Sequence, residues 1–204
     1  MLKIENTETY GWEAAIRGLR NPMNSWVSSD SGYSSDYEKY LVGEKDLSLM
    51  KNLSNAGSDH GKFMRMITVT MDITAPLYWW KEFDTYKVGT VANSCSTMHK
   101  IQAKEFTLDD FSTEHLSSAS LWVLGGTIKA LNENRENFIA YNDKYFWWQM
   151  IQLLPSSYNQ KRTVQLNYQV LKNMYHARKN HKLDEWQDFC KWIETLPYSE
   201  LITS

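Results

Sequence analysis

The spacing of apolar residues predicts two helices in the N-terminal third of the chain. Residues 11–20 repeat apolar side chains at a helical period, and Pro22 follows where that helix would end. The stretch 43–57 opens with polar residues, carries an apolar side and reaches Gly57, a common helix stop. Between these helices, residues 24–36 are rich in Ser, Gly and Asp, which predicts a loop. That loop is either a mobile lid or a plain connector.

After the second predicted helix, the residue pattern changes from a helical period to an alternation with a period of two. Residues 63–73 alternate Met and Thr with Arg, Ile and Val, which predicts a strand with two different faces. Pro76 breaks this pattern, and the period of residues 77–88 fits either a helix or a second extended piece. Thr107 precedes Leu-Asp-Asp110 as in a capping box, which predicts a further helix start.

The C-terminal half of the chain is predicted to be mostly helical. Its apolar periods cover residues 117–133, 136–153, 158–181 and 184–195. One strand-forming region among several helices indicates an α+β domain. The 204 residues fit one domain, or at most a domain with an extension.

The predicted helix over residues 158–181 carries four notable polar residues, Asn167, Gln169, Asn173 and Arg178. At about 100° per residue, Asn167 and Arg178 fall almost in line. The two other amides share roughly the opposite side. Such a helix can serve two sites, or one site and a subunit interface. The alternative is a surface helix with ordinary solvated amides.

The composition excludes several classes of protein. A formal net charge of −2 gives no general affinity for nucleic-acid polymers or anionic membranes. No apolar run is long enough to cross a bilayer, and the N-terminal residues lack a signal peptide's apolar core, so we expect a cytoplasmic location. Cys95 and Cys190 are too few for a disulfide framework. Neither they nor the five histidines show a metal-ligand spacing, so we expect no metal site.

Aromatic residues are abundant and clustered. The chain has nine Trp and twelve Tyr, with clusters at 78–80 and 145–148. Aromatic side chains bury large areas in cores and subunit interfaces, and they also form platforms for planar ligands. Both uses remain open at this point.

A spaced series of polar residues occupies positions 75–99. It comprises Lys81-Glu82, Thr85-Tyr86-Lys87, Thr90, Asn93, Ser94, Ser96 and Met98-His99. Read together with the segment 167–178, this series resembles the flavin-dependent thymidylate synthases. That family has Arg-Gln, then Arg-His-Arg, then Ser-x-Asn-Glu-x-Ser-x-Arg-Tyr. With one inserted residue the order and spacing are kept, although much of the charge is lost.

Two further segments extend the resemblance. Leu154-Pro155 is followed by eleven residues, after which 167–178 matches the family's Asn-x-Arg-Ser-Leu-x-Asn-Phe-x-x-x-Arg without a gap. Gln169 stands where the family has its first Arg of that motif. Residues 46–63 resemble the family's helix and its Gly-His…Phe-Glu-His turn, with His60 retained and Arg65 in the place of the last His.

The resemblance implies a fold and an activity for the whole chain. It implies a single domain over residues 1–204, built as an α+β arrangement with a central, mainly antiparallel sheet flanked by helices. Family members are homotetramers whose active sites lie between subunits and hold FAD. They convert dUMP to dTMP, with methylenetetrahydrofolate and NADPH as co-substrates.

The resemblance also implies residue roles. Those that would bind the cofactor are His60, Arg65, Tyr86, Lys87, Asn93, Asn167, Gln169 and Asn173. Those that would bind the pyrimidine nucleotide are Glu82, Ser94, Ser96 and Arg178. Of these, Ser96 and Arg178 take the catalytic positions. Amides suit the donor and acceptor edge of a flavin, and a lysine can meet a diphosphate as a point charge.

Three arginines with which the family surrounds the nucleotide phosphate are absent. Thr85, Met98 and Ile151 stand in their places, and none of them can pair with a phosphate dianion. Lys161 and Arg162 either compensate from new positions or are solvated surface charges. The sequence therefore leaves two alternatives to a thymidylate synthase: a flavoprotein acting on another nucleotide, or a non-catalytic tetramer that binds nucleotide or flavin.

Overall fold

The computed structural model describes all residues 1–204, and the chain divides into two compact units. Unit 1 comprises residues 1–3, 72–85 and 93–163. Unit 2 comprises residues 4–71, 86–92 and 164–204. No helix is both long and apolar enough to cross a membrane.

Strands and helices are mixed along the chain. The strands are β1 (Lys3–Tyr10), β2 (Gly32–Tyr33), β3 (Tyr40–Leu41), β4 (Thr68–Pro76), β5 (Val91–Ser94) and β6 (Asn159–Asn167). The helices are α1 (Trp12–Arg20), α2 (Glu44–Asn55), α3 (Leu77–Phe83), α4 (Ser118–Tyr141), α5 (Lys144–Leu153), α6 (Tyr168–Arg178), α7 (Asp184–Glu194) and α8 (Glu200–Thr203). Short 3-10 turns occupy Asn21–Met23, Trp26–Ser28, Gly61–Arg65 and Leu108–Asp110.

Four strands form the main sheet in the order β1-β4-β6-β5, and β2 pairs with β3 in a small antiparallel hairpin. The predicted class, an antiparallel sheet flanked by helices, is confirmed. Strand β4 alternates buried and half-buried residues, and its Val69 and Ile73 side chains are fully buried. This period-two burial is typical of a strand that packs one face against a core.

The predicted boundaries need several corrections. The strand expected over 63–73 begins at Thr68, because the residues before it form a 3-10 turn in which Phe63 and Met64 are both buried. The ambiguous stretch after Pro76 is helix α3. Thr107 and Asp110 do form a capping box, although the helix that they start is only a 3-10 turn. Strands β1 and β5 were not predicted.

Three predicted helices in the C-terminal half, over 117–133, 136–153 and 158–181, are wrong in extent. Residues 159–167 form strand β6 rather than the first half of a helix, because Val164 and Leu166 are buried while their polar neighbours are exposed. Helix α4 continues through the predicted break to Tyr141. It ends where Asn142 adopts a left-handed conformation with φ 50°, and Asp143 then caps α5. Helices α1, α2 and α7 occupy the predicted regions.

A buried ion pair holds the predicted loop of residues 24–36 in unit 2. Arg20 Nη2 lies 2.6 Å from Asp46 Oδ1, and both side chains are buried. The second carboxylate oxygen of Asp46 accepts hydrogen bonds from the hydroxyls of Ser29 and Ser31, each at 2.6 Å. The loop therefore has the structure of an anchored connector, tied to α2 by one carboxylate.

We expect Asp46→Ala to lower the free energy of unfolding by about 3–5 kcal/mol, because it leaves the buried Arg20 charge unpaired. Urea unfolding at neutral pH measures the loss. Asp188→Ala is the matched control, since Asp188 is exposed and pairs with Lys191 on one helix. An equal loss in both variants would contradict the anchoring role.

The same carboxylate makes stability depend on pH. Burial alone raises the pKa of Asp46, but hydrogen bonds from Ser29, Ser31 and Arg20 outweigh it and hold the pKa below its ordinary value. The resulting stability is present above the unfolded pKa of about 3.9 and is lost as pH falls through the lower folded value. In acid, the wild type should therefore lose stability more steeply than Asp46→Asn.

Candidate functional site

Asn167 forms the junction between strand β6 and helix α6. Its Oδ1 accepts a hydrogen bond from the backbone N–H of Val170 at 3.0 Å, which is the geometry of a helix N-cap. Asn167 thus precedes the helix rather than lying within it. Gln169 and Asn173 do share one side, as predicted, and Gln169 Nε2 donates to Asn173 Oδ1 at 3.2 Å.

The loop before β5 approaches this N-cap closely. Gly89 adopts φ +75°, a conformation that favours glycine. A Cβ atom on Gly89 would lie 3.0 Å from Asn167 Nδ2 and 3.2 Å from Val170 Cγ2. The absence of a side chain at residue 89 therefore lets the backbone reach the side-chain amide that begins α6.

Arg178 is held at the other end of α6 by two aromatic rings. Its Nε donates to the Tyr86 hydroxyl at 3.0 Å. Its guanidinium carbon lies 4.8 Å from the ring centre of the fully buried Trp186 and 5.6 Å from that of Tyr86. A cation over an aromatic face is favourable, and so is a positive charge at a helix C-terminus.

Two segments that are distant in sequence, at residue 61 and at residues 86–89, therefore meet α6 and its cap in unit 2. Arg178 contacts Tyr86, Asn167 lies against Gly89, and Gln169 Oε1 lies 3.7 Å from where a Gly61 Cβ would be. These are the segments that the sequence resemblance selected. The roles assigned to their residues stay predictions.

Polar groups with spare binding capacity lie on or next to the segments that meet here. The Thr90 hydroxyl oxygen is buried and has no hydrogen-bond partner. Lys87 is exposed and makes no ion pair, and His60, Arg65 and Asn173 are also exposed. His60 lines a separate cavity of about 670 Å³ together with Leu49, Leu53 and Phe63 of unit 2.

Sequence reasoning missed two members of this group. Trp186, which supports Arg178, lies on a helix that was predicted only as an apolar period. Thr90 was matched to a family serine, but its unpaired hydroxyl is a property of the folded chain. A tryptophan eight residues after a candidate arginine was the only available signal.

The remaining candidate residues lie in unit 1. Asn93 and Ser94 are exposed at the end of β5, and Glu82 is half-buried near the end of α3. Ser96 Oγ accepts hydrogen bonds from the backbone N–H groups of Met98 and His99, each at 3.1 Å. Ser96 also lines a cavity of about 550 Å³.

The positions of the absent arginines differ from one another. Thr85 is exposed and donates its hydroxyl to the Glu82 carbonyl at 2.7 Å, and Met98 is 47% exposed. Ile151 packs against the buried cluster that includes Leu131 and Met150. Ile151 therefore serves the core of unit 1.

The two cations considered as replacements are both engaged within unit 1. Arg162 Nη1 lies 2.7 Å from Asp84 Oδ1, and its guanidinium carbon lies 4.2 Å from the Trp80 ring centre. Lys161 Nζ lies 3.0 Å from Asp72 Oδ2. Arg162 is thus more than a solvated surface charge. No cluster of His, Cys, Asp and Glu is arranged to hold a metal ion.

We expect Gly89→Ala to destabilise the protein more than Gly57→Ala. Both glycines have positive φ, but a Cβ on Gly57 meets nothing within 4 Å, so that variant isolates the backbone strain of about 1–2 kcal/mol. Gly89→Ala adds the displacement of the Asn167 cap, which is worth about 1 kcal/mol more. Urea unfolding of both variants measures the difference, and equal losses would refute the close approach at Asn167.

Comparisons with known proteins identify the fold. No family model and no curated protein matches the sequence. Thymidylate synthase X from Helicobacter pylori, solved with FAD and dUMP, matches with a TM-score of 0.70 and 17% identity over 100% of this chain and 97% of its own. The flavin-dependent thymidylate synthase from the same organism, complexed with FAD and dUMP, matches with a TM-score of 0.69 and 18% identity. That match covers 98% of this chain and 97% of its own.

A protein described as a methylase, rather than as a thymidylate synthase, has the same architecture. The UMP/dUMP methylase PolB from Streptomyces cacaoi, bound with 5-Br dUMP, gives a TM-score of 0.60 and 12% identity, covering 98% of this chain and 93% of its own. These sequence identities are low, so the comparisons show similarity of fold alone. The chain therefore has the fold of the flavin-dependent thymidylate synthases, as the resemblance in its sequence predicted.

Proposed function

We propose that this protein is an FAD-dependent methyltransferase that acts on C5 of a pyrimidine nucleotide, with residues 1–204 working as one domain. The observation that carries the proposal is that Gly61 and the segment 86–89 both contact α6 or its cap in unit 2. Sequence resemblance alone selected these segments, and neither periodicity nor composition required them to come together. The similar structures were solved with FAD, dUMP and a brominated dUMP.

The polar groups at this meeting point suit a flavin nucleotide. Thr90 has a buried hydroxyl with an unused hydrogen-bonding capacity, and such a group is costly unless a ligand satisfies it. The side chains of Gln169 and Asn173 offer neutral donors and acceptors for the edge of a flavin ring. Lys87 supplies an uncommitted positive charge for a diphosphate.

Each remaining cofactor residue has a more limited part in the proposal. Asn167 uses its oxygen as a helix cap, so its amide N–H groups are what it can donate to the flavin. Tyr86 offers a ring edge, while His60, Arg65 and Asn93 contribute exposed polar groups. When bound, the reduced flavin supplies the electrons that turn a transferred one-carbon unit into a methyl group.

The nucleotide side of the proposal rests on Arg178, Ser96, Glu82 and Ser94. Arg178 is fixed by Tyr86 and Trp186, so it can meet a pyrimidine nucleotide without first becoming ordered. Ser96 retains its hydroxyl hydrogen for donation, because its oxygen is the acceptor in both of its backbone hydrogen bonds. Methylenetetrahydrofolate and NADPH are the proposed co-substrates.

Assembly into a homotetramer belongs to the same proposal. Helices α4 and α5 of unit 1 expose large apolar side chains, with Trp122 81%, Val123 60% and Tyr145 61% exposed. Large apolar side chains left in solvent support association with another chain that covers them. A second copy is the partner that the proposal requires.

One observation favours a second candidate function. Thr85, Met98 and Ile151 give no cation where the family has arginines, and Ile151 is committed to the core of unit 1. A flavoprotein that acts on another nucleotide, or a protein that only binds flavin and nucleotide, needs no phosphate site at these three positions. Binding and turnover assays separate the candidates.

We expect the purified protein to bind FAD with the absorbance of about one flavin per chain, and Thr90→Val to weaken this binding about fivefold. The loss corresponds to one neutral hydrogen bond of about 1 kcal/mol. The free energy of unfolding without FAD should stay unchanged or rise, because valine removes an unsatisfied hydroxyl. Thr127→Val is the control, since its hydroxyl donates to Val123 within α4. Protein that cannot be loaded with FAD would rule out both flavoenzyme candidates.

We expect tritium release from C5-labelled dUMP in the presence of FAD, NADPH and methylenetetrahydrofolate. Arg178→Ala should raise the KM for dUMP at least about tenfold, as expected for loss of a charge-assisted contact, while FAD occupancy stays largely intact. Lys179→Ala, at the next residue, controls for the charge change at the end of α6. An Arg178→Ala variant with wild-type affinity would show that the residue assignment is wrong. Flavin loading without tritium release or dUMP binding would favour the second candidate.

A further inference from the structure

A cavity in unit 1 is lined by both apolar residues and lysines. Its volume of about 550 Å³ lies within the range of about 300–1,000 Å³ that is typical of small-molecule sites. Ile101, Phe106 and Tyr158 form apolar and aromatic parts of its wall. Its lysines are Lys3, Lys100, Lys104 and Lys161.

The charge at this cavity contrasts with the chain as a whole. Four lysines and two aspartates, Asp109 and Asp110, line the cavity, and Asp72 lies against one of the lysines, in a protein whose formal net charge is −2. Clefts lined by one sign of charge concentrate ligands of the opposite sign. The ligand of this cavity is therefore expected to carry negative charge.

The lysines are not equivalent. Lys104 pairs with Asp110, and Lys161 lies 3.0 Å from Asp72. Lys100 is exposed, and its ammonium group makes neither an ion pair nor a hydrogen bond within the chain. Lys100 is therefore a cation that can bind an anion without breaking an existing contact.

Ser96 and Lys100 belong to the same turn. The backbone N–H of Lys100 donates to the Ser96 carbonyl at 3.4 Å, while the Ser96 hydroxyl accepts from two further N–H groups of the turn. The Ser96 hydroxyl thus keeps a hydrogen to donate, and Lys100 on the same turn lines the same cavity. One neutral and one charged donor in a single turn suit the oxygens of a phosphate.

The aromatic part of the cavity lining suits a planar ring. Tyr158 packs edge-on against Phe106 and Phe111, with ring centres 6.3 and 5.7 Å apart, which fixes its orientation. Aromatic surfaces of this kind bind flat heterocycles by offset stacking. A ligand with a flat ring and a terminal phosphate matches both parts of the cavity.

We propose that this cavity binds a pyrimidine nucleoside monophosphate, with Lys100 and the Ser96 hydroxyl holding its phosphate in place of the arginines that the chain lacks. The identity of the base rests on the proposed function, whereas the phosphate assignment rests on the cavity. A lysine meets phosphate as a point charge without the bidentate geometry of arginine. Lys100→Arg should therefore retain binding.

The test is calorimetric titration of the full chain with dUMP and, separately, with deoxyuridine. For Lys100→Gln we expect the Kd for dUMP to rise about tenfold, as for other charge-assisted phosphate contacts, and the Kd for deoxyuridine to stay unchanged. Lys129→Gln is the matched control, because Lys129 in α4 is exposed and contacts only Glu133 at 3.9 Å. Lys100→Arg should bind dUMP within about twofold of wild type.

A second variant tests the cavity independently of charge. Ala103 is exposed at the cavity wall, and Ala103→Trp should block both dUMP and deoxyuridine while circular dichroism shows an unchanged fold. The proposal is overturned if Lys100→Gln binds dUMP like wild type, or if Lys129→Gln loses as much. It is also overturned if dUMP and deoxyuridine weaken equally in Lys100→Gln, since the phosphate would then play no part.

These outcomes are separable from those of the proposed function. FAD loading and tritium release with no effect of Lys100→Gln would refute the lysine site and leave the methyltransferase proposal standing. Dependence of dUMP binding on Lys100 without FAD loading would support the site and refute the flavoenzyme. Preference for inorganic phosphate over dUMP would overturn the nucleotide assignment.

Discussion

The hydrogen bond from Val170 N–H to Asn167 Oδ1 sets the point at which strand β6 becomes helix α6. Because residues of a helix advance by about 100° each, this start fixes the direction of every later side chain on α6. It orients the Gln169–Asn173 amide pair toward one side and delivers Arg178 to the rings of Tyr86 and Trp186. A capping residue thus determines the geometry of the candidate cofactor site.

Sequence periodicity identified the elements whose burial follows a simple period. Helices α1 and α7 bury one face, which a helical period reveals directly. Strand β6 was predicted as helix because Gln160, Lys161 and Arg162 are all polar. The first half of the strand therefore shows no alternation of apolar and polar residues. The end of α4 was missed because its stop depends on Asn142 and Asp143, whose backbone angles act only in the folded chain.

The sequence predicted the candidate residues along α6 better than the replacement cations and the lysine-lined cavity. Resemblance selected Tyr86, Asn167 and Arg178 together. In the fold Asn167 caps α6 and Tyr86 contacts Arg178 at the end of that helix, while their functional roles stay predictions. The sequence left Lys161 and Arg162 as either replacement cations or solvated surface charges, because it could not reveal their contacts with Asp72 and Asp84. The lysine-lined cavity could not be predicted, since its members come from four separate stretches of the sequence.

A ligand that satisfied the buried Thr90 hydroxyl would couple occupancy of the candidate site to survival of the protein. A buried polar group without a partner costs about 1–3 kcal/mol, which is a large fraction of the stability of an ordinary domain. A ligand that bonds to this hydroxyl removes that cost only in the folded state, so it shifts the folding equilibrium by mass action. Chains without such a ligand would unfold more often and be degraded sooner. The steady-state amount of this protein in a cell would then track the supply of its ligand.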